Sequence, residues 1–210
     1  MDWHILWQYR AALLSGLTVT LWISALGIVG STIAGMTIGC LAATPSFFLR
    51  RLTGAYTDSL RNLPLLVKVF FFYFVLSMPT IPAALLGLVL HQSAYIADVT
   101  SAGIRSVARG QLDAGLSLGH RYGQIFCYVI LPQAVRIIIP PMTTQYVAVI
   151  KNSSVVALIA VQDLTYQTQE INVETFRGFE AATAATVLYI LVALSVIGLM
   201  TLLQRRVGHR

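Results

Sequence analysis

Charge is scarce in this chain. Only 10% of its 210 residues are Asp, Glu, Lys or Arg, against about a quarter in an ordinary soluble domain, and that excludes a soluble globular class. Lysine occurs only at Lys68 and Lys151, and cysteine only at Cys40 and Cys127. Two cysteines in apolar surroundings exclude a disulfide framework and read as buried thiols. No Gly-x-x-x-x-Gly-Lys-Ser/Thr segment occurs, and neither lysine is followed by Ser or Thr, so the chain carries no phosphate-cradling loop of that kind. His4, His91, His120 and His209 lack metal-ligand spacing, and no spaced nucleophile–base set emerges, which argues against a membrane enzyme. Linkers, low-complexity tracts and internal repeats are missing too, so residues 1–210 read as one domain.

What fills the chain instead is apolar. Hydrophobic residues make up 57% of it and the mean hydropathy is +0.75. Five segments approach or exceed the roughly 20 apolar residues needed to cross a bilayer: about 15–43, 63–78, 83–107, 125–150 and 181–203. The expected fold class is an all-α polytopic membrane protein with about five transmembrane helices. The first span is overlong unless tilted, the second is closed by Pro79 and Pro82, and the fourth holds the kinking pair Pro140-Pro141. Thr37-Ile38-Gly39-Cys40 faintly resembles a lipoprotein cleavage box, but the preceding run is too long and the start too weakly basic, so an uncleaved span is the reading adopted.

The net charge of +6 is no sign of nucleic-acid binding, because the basic residues cluster at span ends. Arg50, Arg51 and Arg61 lie between spans one and two; Arg105, Arg109, Arg121 and Arg136 surround the loop between spans three and four; Arg205, Arg206 and Arg210 close the chain. The other span ends hold Asp2, Arg10, Asp163, Glu170, Glu174, Arg177 and Glu180. The bias of Lys and Arg toward the cytoplasm then sets the amino terminus outside. Segment 157–180 becomes an extracytoplasmic cap, with Asp163-Leu164-Thr165 as a helix start.

One loop differs from a plain solvated connector. In 110–119, Leu112, Gly115, Leu116 and Gly119 fall at helical spacing, and a terminal glycine permits a left-handed stop. A helix–turn–helix with a small-residue face fits closely against another protein; the plainer reading is a capped connector.

The order of residues in that loop, Gly110-Gln111, Asp113-Ala114, Leu118-Gly119 and then Ile130-Leu131-Pro132-Gln133-Ala134, resembles the coupling-loop signature of ABC importer permeases. The usual Glu-Ala-Ala opening is replaced by Asp113-Ala114-Gly115, and Gly119 follows Asp113 by six. The resemblance runs along most of the chain to the polar amino-acid branch, through Arg61-Asn62-Leu63-Pro64-Leu65-Leu66-Val67, Ala94-Tyr95-Ile96-Ala97-Asp98, Gly103-Ile104-Arg105-Ser106-Val107, Ile137-Ile138-Ile139-Pro140-Pro141 and Lys151-Asn152-Ser153-Ser154-Val155. Asn62, the Ile-Pro-Pro stretch and Asn152-Ser153-Ser154 look most like glutamate/aspartate permeases. Lys68, Asp98 and Ser101-Ala102 depart from the family pattern near the expected pathway and leave the substrate open.

The resemblance implies a type I ABC importer permease-like fold in a bacterial inner membrane, a single transmembrane permease domain over 1–210 and a coupling loop at about 108–124. It implies a second permease subunit, separate ATPase subunits that hold ATP and Mg, an extracytoplasmic substrate-binding protein, and no cofactor on this chain. The coupling residues it marks are Gln111, Asp113, Ala114, Gly115, Leu118 and Gly119. Glutamate or aspartate import is expected; import of another polar amino acid or an opine-like conjugate, and a channel without ATP coupling, are the alternatives.

Ionisable residues at membrane depth are costly, by about 2.5 kcal/mol or more at the bilayer centre, and tend to face water or partners. Asp98 with Tyr95 is a pathway candidate for a substrate ammonium, or else one half of a structural Asp–Lys or Asp–Arg pair. Lys151 and Lys68 are candidates for a carboxylate, although Lys68 is equally readable as snorkelling. Asn152, Ser153 and Ser154 follow the expected break after span four and serve either as an anion site or as a helix cap. Arg61 reads as a topological anchor or a gating contact, His91 as a packing residue, and Phe70 to Phe74 as a lipid- or dimer-packing run.

Overall fold

The computed structural model describes residues 3–208; Asp2 and Arg210, used in the orientation argument, and His209 lie outside them. The described residues contain helices and no strands: α1 (His4–Gln8), α2 (Arg10–Ala42), α3 (Phe47–Asn62), α4 (Leu65–Phe70), α5 (Thr80–Ser106), α6 (Arg109–Ser117), α7 (Tyr122–Ile125), α8 (Leu131–Ser153), α9 (Leu164–Thr175) and α10 (Gly178–Gly208). Four stretches are long and apolar enough to cross a membrane: Arg10–Ala42, Thr80–Ser106, Tyr122–Ile159 and Gly178–Arg206.

The bundle is organised on α2 and α5. The buried face of α2 includes Thr20, Ser24, Gly27, Ser31, Gly35 and Gly39, all small. A Cβ at Gly35 would stand 2.6 Å from Ile96 Cβ, and one at Gly39 2.5 Å from Thr100 Cβ, so the two helices meet backbone to side chain with no room for a methyl group. Gly27 meets Leu88, Gly35 meets Ile96 and Gly39 meets Thr100, so α2 and α5 run parallel. At their shared end the Arg105 guanidinium donates to the Ala42 carbonyl.

Two parallel helices require the chain between them to travel back, and here the structure departs from the expected second span. Only Leu65–Val75 is helical in the expected 63–78 segment, α4 continuing as a π-helical turn, Phe71–Val75. That is roughly 16 Å of helix against a hydrocarbon core of about 30 Å. The return is shared with α3, which is amphipathic, burying Thr53 and Thr57 and exposing Phe47, Phe48 and Leu52. The division falls at Leu63 because it precedes Pro64; proline disfavours helical backbone at the preceding residue, and Leu63 is extended (φ −94°, ψ 131°). Left-handed Ser77 (φ 49°) and Pro79 then turn the chain into α5. Phe71 and Phe74 are exposed, while Phe70, Phe72 and Tyr73 pack against the core around Val69 and Leu88, so only part of the run expected to pack on lipid or a dimer partner faces outward.

The fourth span is longer than its expected 125–150 bounds. Helix starts at Tyr122, passes through a π-helical turn (Phe126–Ile130), continues through Pro140-Pro141 inside α8, and ends in a 3-10 turn (Ser154–Ile159). The expected break before Asn152 is therefore absent; the chain turns only at left-handed Ala160 (φ 60°). Helix α8 runs antiparallel to α5, since Gly103 meets Ile138 while Gln92 Nε2 donates to Gln145 Oε1 at 2.7 Å. Helix α10 returns antiparallel to α8, with Gln204 donating to Thr143 at 3.0 Å near one end and Tyr189 beside Ile150 near the other.

Charge is biased between the two ends. Arg50, Arg51, Arg105, α6, α7, Arg205 and Arg206 gather at one, the basic end; Asp163, Glu170, Glu174 and Glu180 outnumber Arg10 and Arg177 at the other, the acidic end. The acidic end is closed by α9, as the expected cap. Asp163 is its N-cap, accepting from Tyr166 N at 2.9 Å, and Leu164 N donates to Thr20 Oγ1 at 3.1 Å. A Cβ on Gly16 would lie 2.9 Å from the Asp163 carbonyl, so α9 presses directly on α2. Ile5, Leu13, Leu164, Ile171, Ala181 and Ala185 form the small core beneath it. The outer face of α10 (Val187, Ile190, Leu191, Leu194, Leu199) stays uncovered, as suits lipid or a second subunit.

Candidate functional site

At the basic end the expected loop is a rigid corner. Helix α6 ends in a Schellman motif: Gly119 N donates to Leu116 O at 2.9 Å and His120 N to Gly115 O at 3.1 Å. The motif needs a left-handed residue, and Gly119 supplies it at φ +80°. Two residues on, the Gln124 carboxamide accepts from Arg121 N at 2.9 Å, closing the start of α7. Both ends of the turn are thus capped.

The faces of α6 differ from the spacing argument. Gly115 is buried, its missing Cβ only 2.7 Å from Ile125, and Leu112 packs on the same core. The small-residue face is therefore spent on holding α6 against α7. What faces outward is Gln111, Asp113, Ala114, Leu116, Leu118 and Gly119, with Leu118 77% exposed.

The interior candidates fall into separate places. Asp98 on α5 is ion-paired with Arg61, in the last turn of α3. The Arg61 guanidinium also lies over the Tyr95 ring, 5.3 Å from its centroid, and Tyr95 takes the His91 ring edge-on at 5.2 Å. Nearby, the Tyr56 and Ser93 hydroxyls share a hydrogen bond of 2.7 Å. Of the readings open for Asp98, the Asp–Arg pair is the one seen.

Lys68 is buried, and its ammonium donates to the carbonyls of Leu60 and of Leu63 (2.8 Å), capping the end of α3. Neither snorkelling nor an open carboxylate site describes it. Lys151 is exposed and borders two grooves between α8 and α10, of about 280 and 250 Å³, the first shared with Ser154, Thr186 and Tyr189. Ser153 is fully buried, donating to Ile150 O at 2.8 Å and meeting Ser24 Oγ at 3.4 Å. Ser154 donates to Lys151 O at 2.7 Å, and Asn152 is half-buried on the same continuous helix. Asp98 and Lys151 are thus on different faces, one toward α3 and one toward α10.

Sequence reasoning allowed an Asp–Arg pair at Asp98 without naming Arg61 as the partner. It missed the glycine seam of α2, whose signal is small residues repeating every four at Gly27, Ser31, Gly35 and Gly39.

Comparison with known proteins agrees with this architecture. Residues 35–209 match the family model described as the binding-protein-dependent transport system inner membrane component. The glutamine transport system permease protein GlnP of Escherichia coli K12 is 32% identical over 98% of this chain and 97% of its own length. The glutamate/aspartate import permease protein GltJ of the same strain is 30% identical over 95% and 88%. Among solved structures, an amino acid ABC transporter crystallised with histidines superposes with a TM-score of 0.91 at 29% identity, covering 98% of this chain and 99% of the other. The MetNI methionine transporter, at 0.82 and 16% identity, shares the fold. The chain belongs to the binding-protein-dependent transport inner membrane components, in the polar amino-acid ABC importer branch.

Proposed function

We infer that this permease forms the pathway of an ATP-driven importer for a polar amino acid of the glutamine–glutamate kind, in a bacterial inner membrane with its basic end in the cytoplasm. Separate ATPase subunits hold ATP and Mg, a second permease subunit completes the pathway, and a binding protein delivers substrate at the acidic end. The narrower expectation of glutamate/aspartate has no advantage over glutamine, since GlnP and GltJ are both relatives at similar identity.

The observation that carries this reading is the corner at 109–125. Its capped turn and Gly115–Ile125 contact make α6 and α7 one body, and only Val107 and Ala108 separate α6 from α5. Movement of an ATPase gripping Asp113, Ala114 and Leu118 is then passed to α5 and α8 without slack. Such a contact drives transport only if it differs between two global states. Lys151, exposed on the α8–α10 groove, supports this reading as a cation open to an acidic side chain.

Proteoliposomes holding the permease, its ATPase and its binding protein test this with labelled glutamine, glutamate and aspartate. ATP-dependent accumulation of glutamine or glutamate is expected. Flux that runs equally without ATP establishes the channel alternative instead, and accumulation of other amino acids alone moves the substrate class.

A further inference from the structure

We propose that Arg61 and Asp98 form a receptor for the α-carboxylate and α-ammonium of an amino acid, closed upon itself when no amino acid is bound. The proposal rests on the importer reading above. The pair joins α3 to α5 by a single nitrogen, Nη1, and a single oxygen, Oδ2. No other hydrogen-bond partner of either charged group occurs among the described residues. The second carboxylate oxygen and the remaining guanidinium N–H groups therefore stay uncommitted.

Access and rigidity support a binding role. The side chains are 44% and 40% exposed, so neither is sealed inside this subunit. Asp98 lies about 12 Å before the carboxyl end of α5, well inside the helix. Tyr95 lies beneath the guanidinium and His91 braces Tyr95, which orients a planar fork that can take a carboxylate through two parallel bonds.

Charge decides the ligand class. An unpaired charge at membrane depth is expensive, so an empty site stays shut by self-pairing. A simple amine would satisfy Asp98 and strand Arg61; a simple carboxylate would do the reverse. A zwitterion exchanges one ion pair for two, leaving every charge partnered. The receptor reads the part common to all amino acids, and side-chain selection lies elsewhere. Insertion between Arg61 and Asp98 also parts α3 from α5, so occupancy is felt as a helix displacement.

The test is uptake of labelled L-glutamine and L-glutamate by the reconstituted permease–ATPase complex with saturating binding protein, for wild type, Arg61→Gln, Asp98→Asn, the double variant and Arg61→Lys. Uptake should fall by about ten-fold or more in each neutralised variant, as loss of a charge-assisted contact requires, and should stay low in the double variant although that variant co-purifies with the ATPase. Arg61→Lys, which keeps the charge, should assemble with a raised apparent KM. Recovery of uptake in the double variant, where a neutral Gln–Asn contact replaces the ion pair, would show that the pair only fastens α3 to α5 and would overturn the proposal. Should the singly neutralised variants fail to assemble, the double variant and Arg61→Lys still decide. Failure of the wild type to accumulate any amino acid would refute the importer reading itself, a different result from wild-type uptake that the substitutions leave unchanged.

Discussion

The Tyr189 hydroxyl on α10 donates to the Asp163 carboxylate at 3.2 Å, and that carboxylate is wholly buried at the start of α9. Thr165 shares a hydrogen bond with the same hydroxyl at 2.9 Å. One acid thus ties the cap over the acidic end to α10, while Leu164 beside it ties the cap to α2.

Burial raises the Asp163 pKa from 3.8 to about 6, only partly offset by the Tyr166, Tyr189 and Thr165 hydrogen bonds. Between those values the folded chain holds a proton that the unfolded chain has lost, so stability falls as pH rises through about 4 to 6. The full difference is on the order of 3 kcal/mol. Thermal unfolding in detergent from pH 4.5 to 7.5 should show this slope in wild type and a flatter one in Asp163→Asn, which keeps a capping side chain. Equal slopes would remove Asp163 as the source.

Gly119→Val places a β-branched residue at φ +80°, where a left-handed backbone costs about 1–2 kcal/mol for an ordinary L-residue. The space around it is open, so the strain acts on the turn and spares the bundle. Membrane insertion and helicity should persist while ATPase co-purification and uptake are lost. Normal assembly with normal uptake would dismiss the coupling role of this corner.

Lys68→Met removes the ammonium that satisfies the Leu60 and Leu63 carbonyls. Each unmet buried acceptor costs about 1–3 kcal/mol, so the variant should unfold at a lower temperature while its apparent KM for substrate stays at the wild-type value. A raised KM at unchanged stability would return Lys68 to the pathway.

Gly39→Leu forces a side chain into Thr100 and the Ala97 carbonyl, both within 2.6 Å of a Cβ there. Overpacking of a close helix contact costs about 1–3 kcal/mol, and backbone on the other side makes relief difficult. Reduced thermal stability is expected, with Gly54→Leu, in open space, as the neutral control.

The elements legible in the sequence were those fixed by local physics. Apolar length marked α2, α5, α8 and α10; Asp163-Leu164-Thr165 marked the start of α9; Gly119 marked the end of α6. What escaped depends on which faces meet. Nothing near Lys68 says that its chain folds back on Leu60, because that depends on the Pro64 break. Leu112 and Gly115 looked like a docking face because helical spacing shows a stripe without showing its partner; Ile125 claimed it. Arg61 and Asp98 are 37 residues apart, a proximity created only by the path of α3.

The glycine seam between α2 and α5 carries a mechanical consequence. Helices locked along parallel axes at Gly27, Gly35 and Gly39 resist bending as a double-walled strut does, far better than either alone. A push entering at Val107 would reach Gly16, which lies against Asp163 and Leu164 at the start of α9, as a displacement of α2 and α5 together.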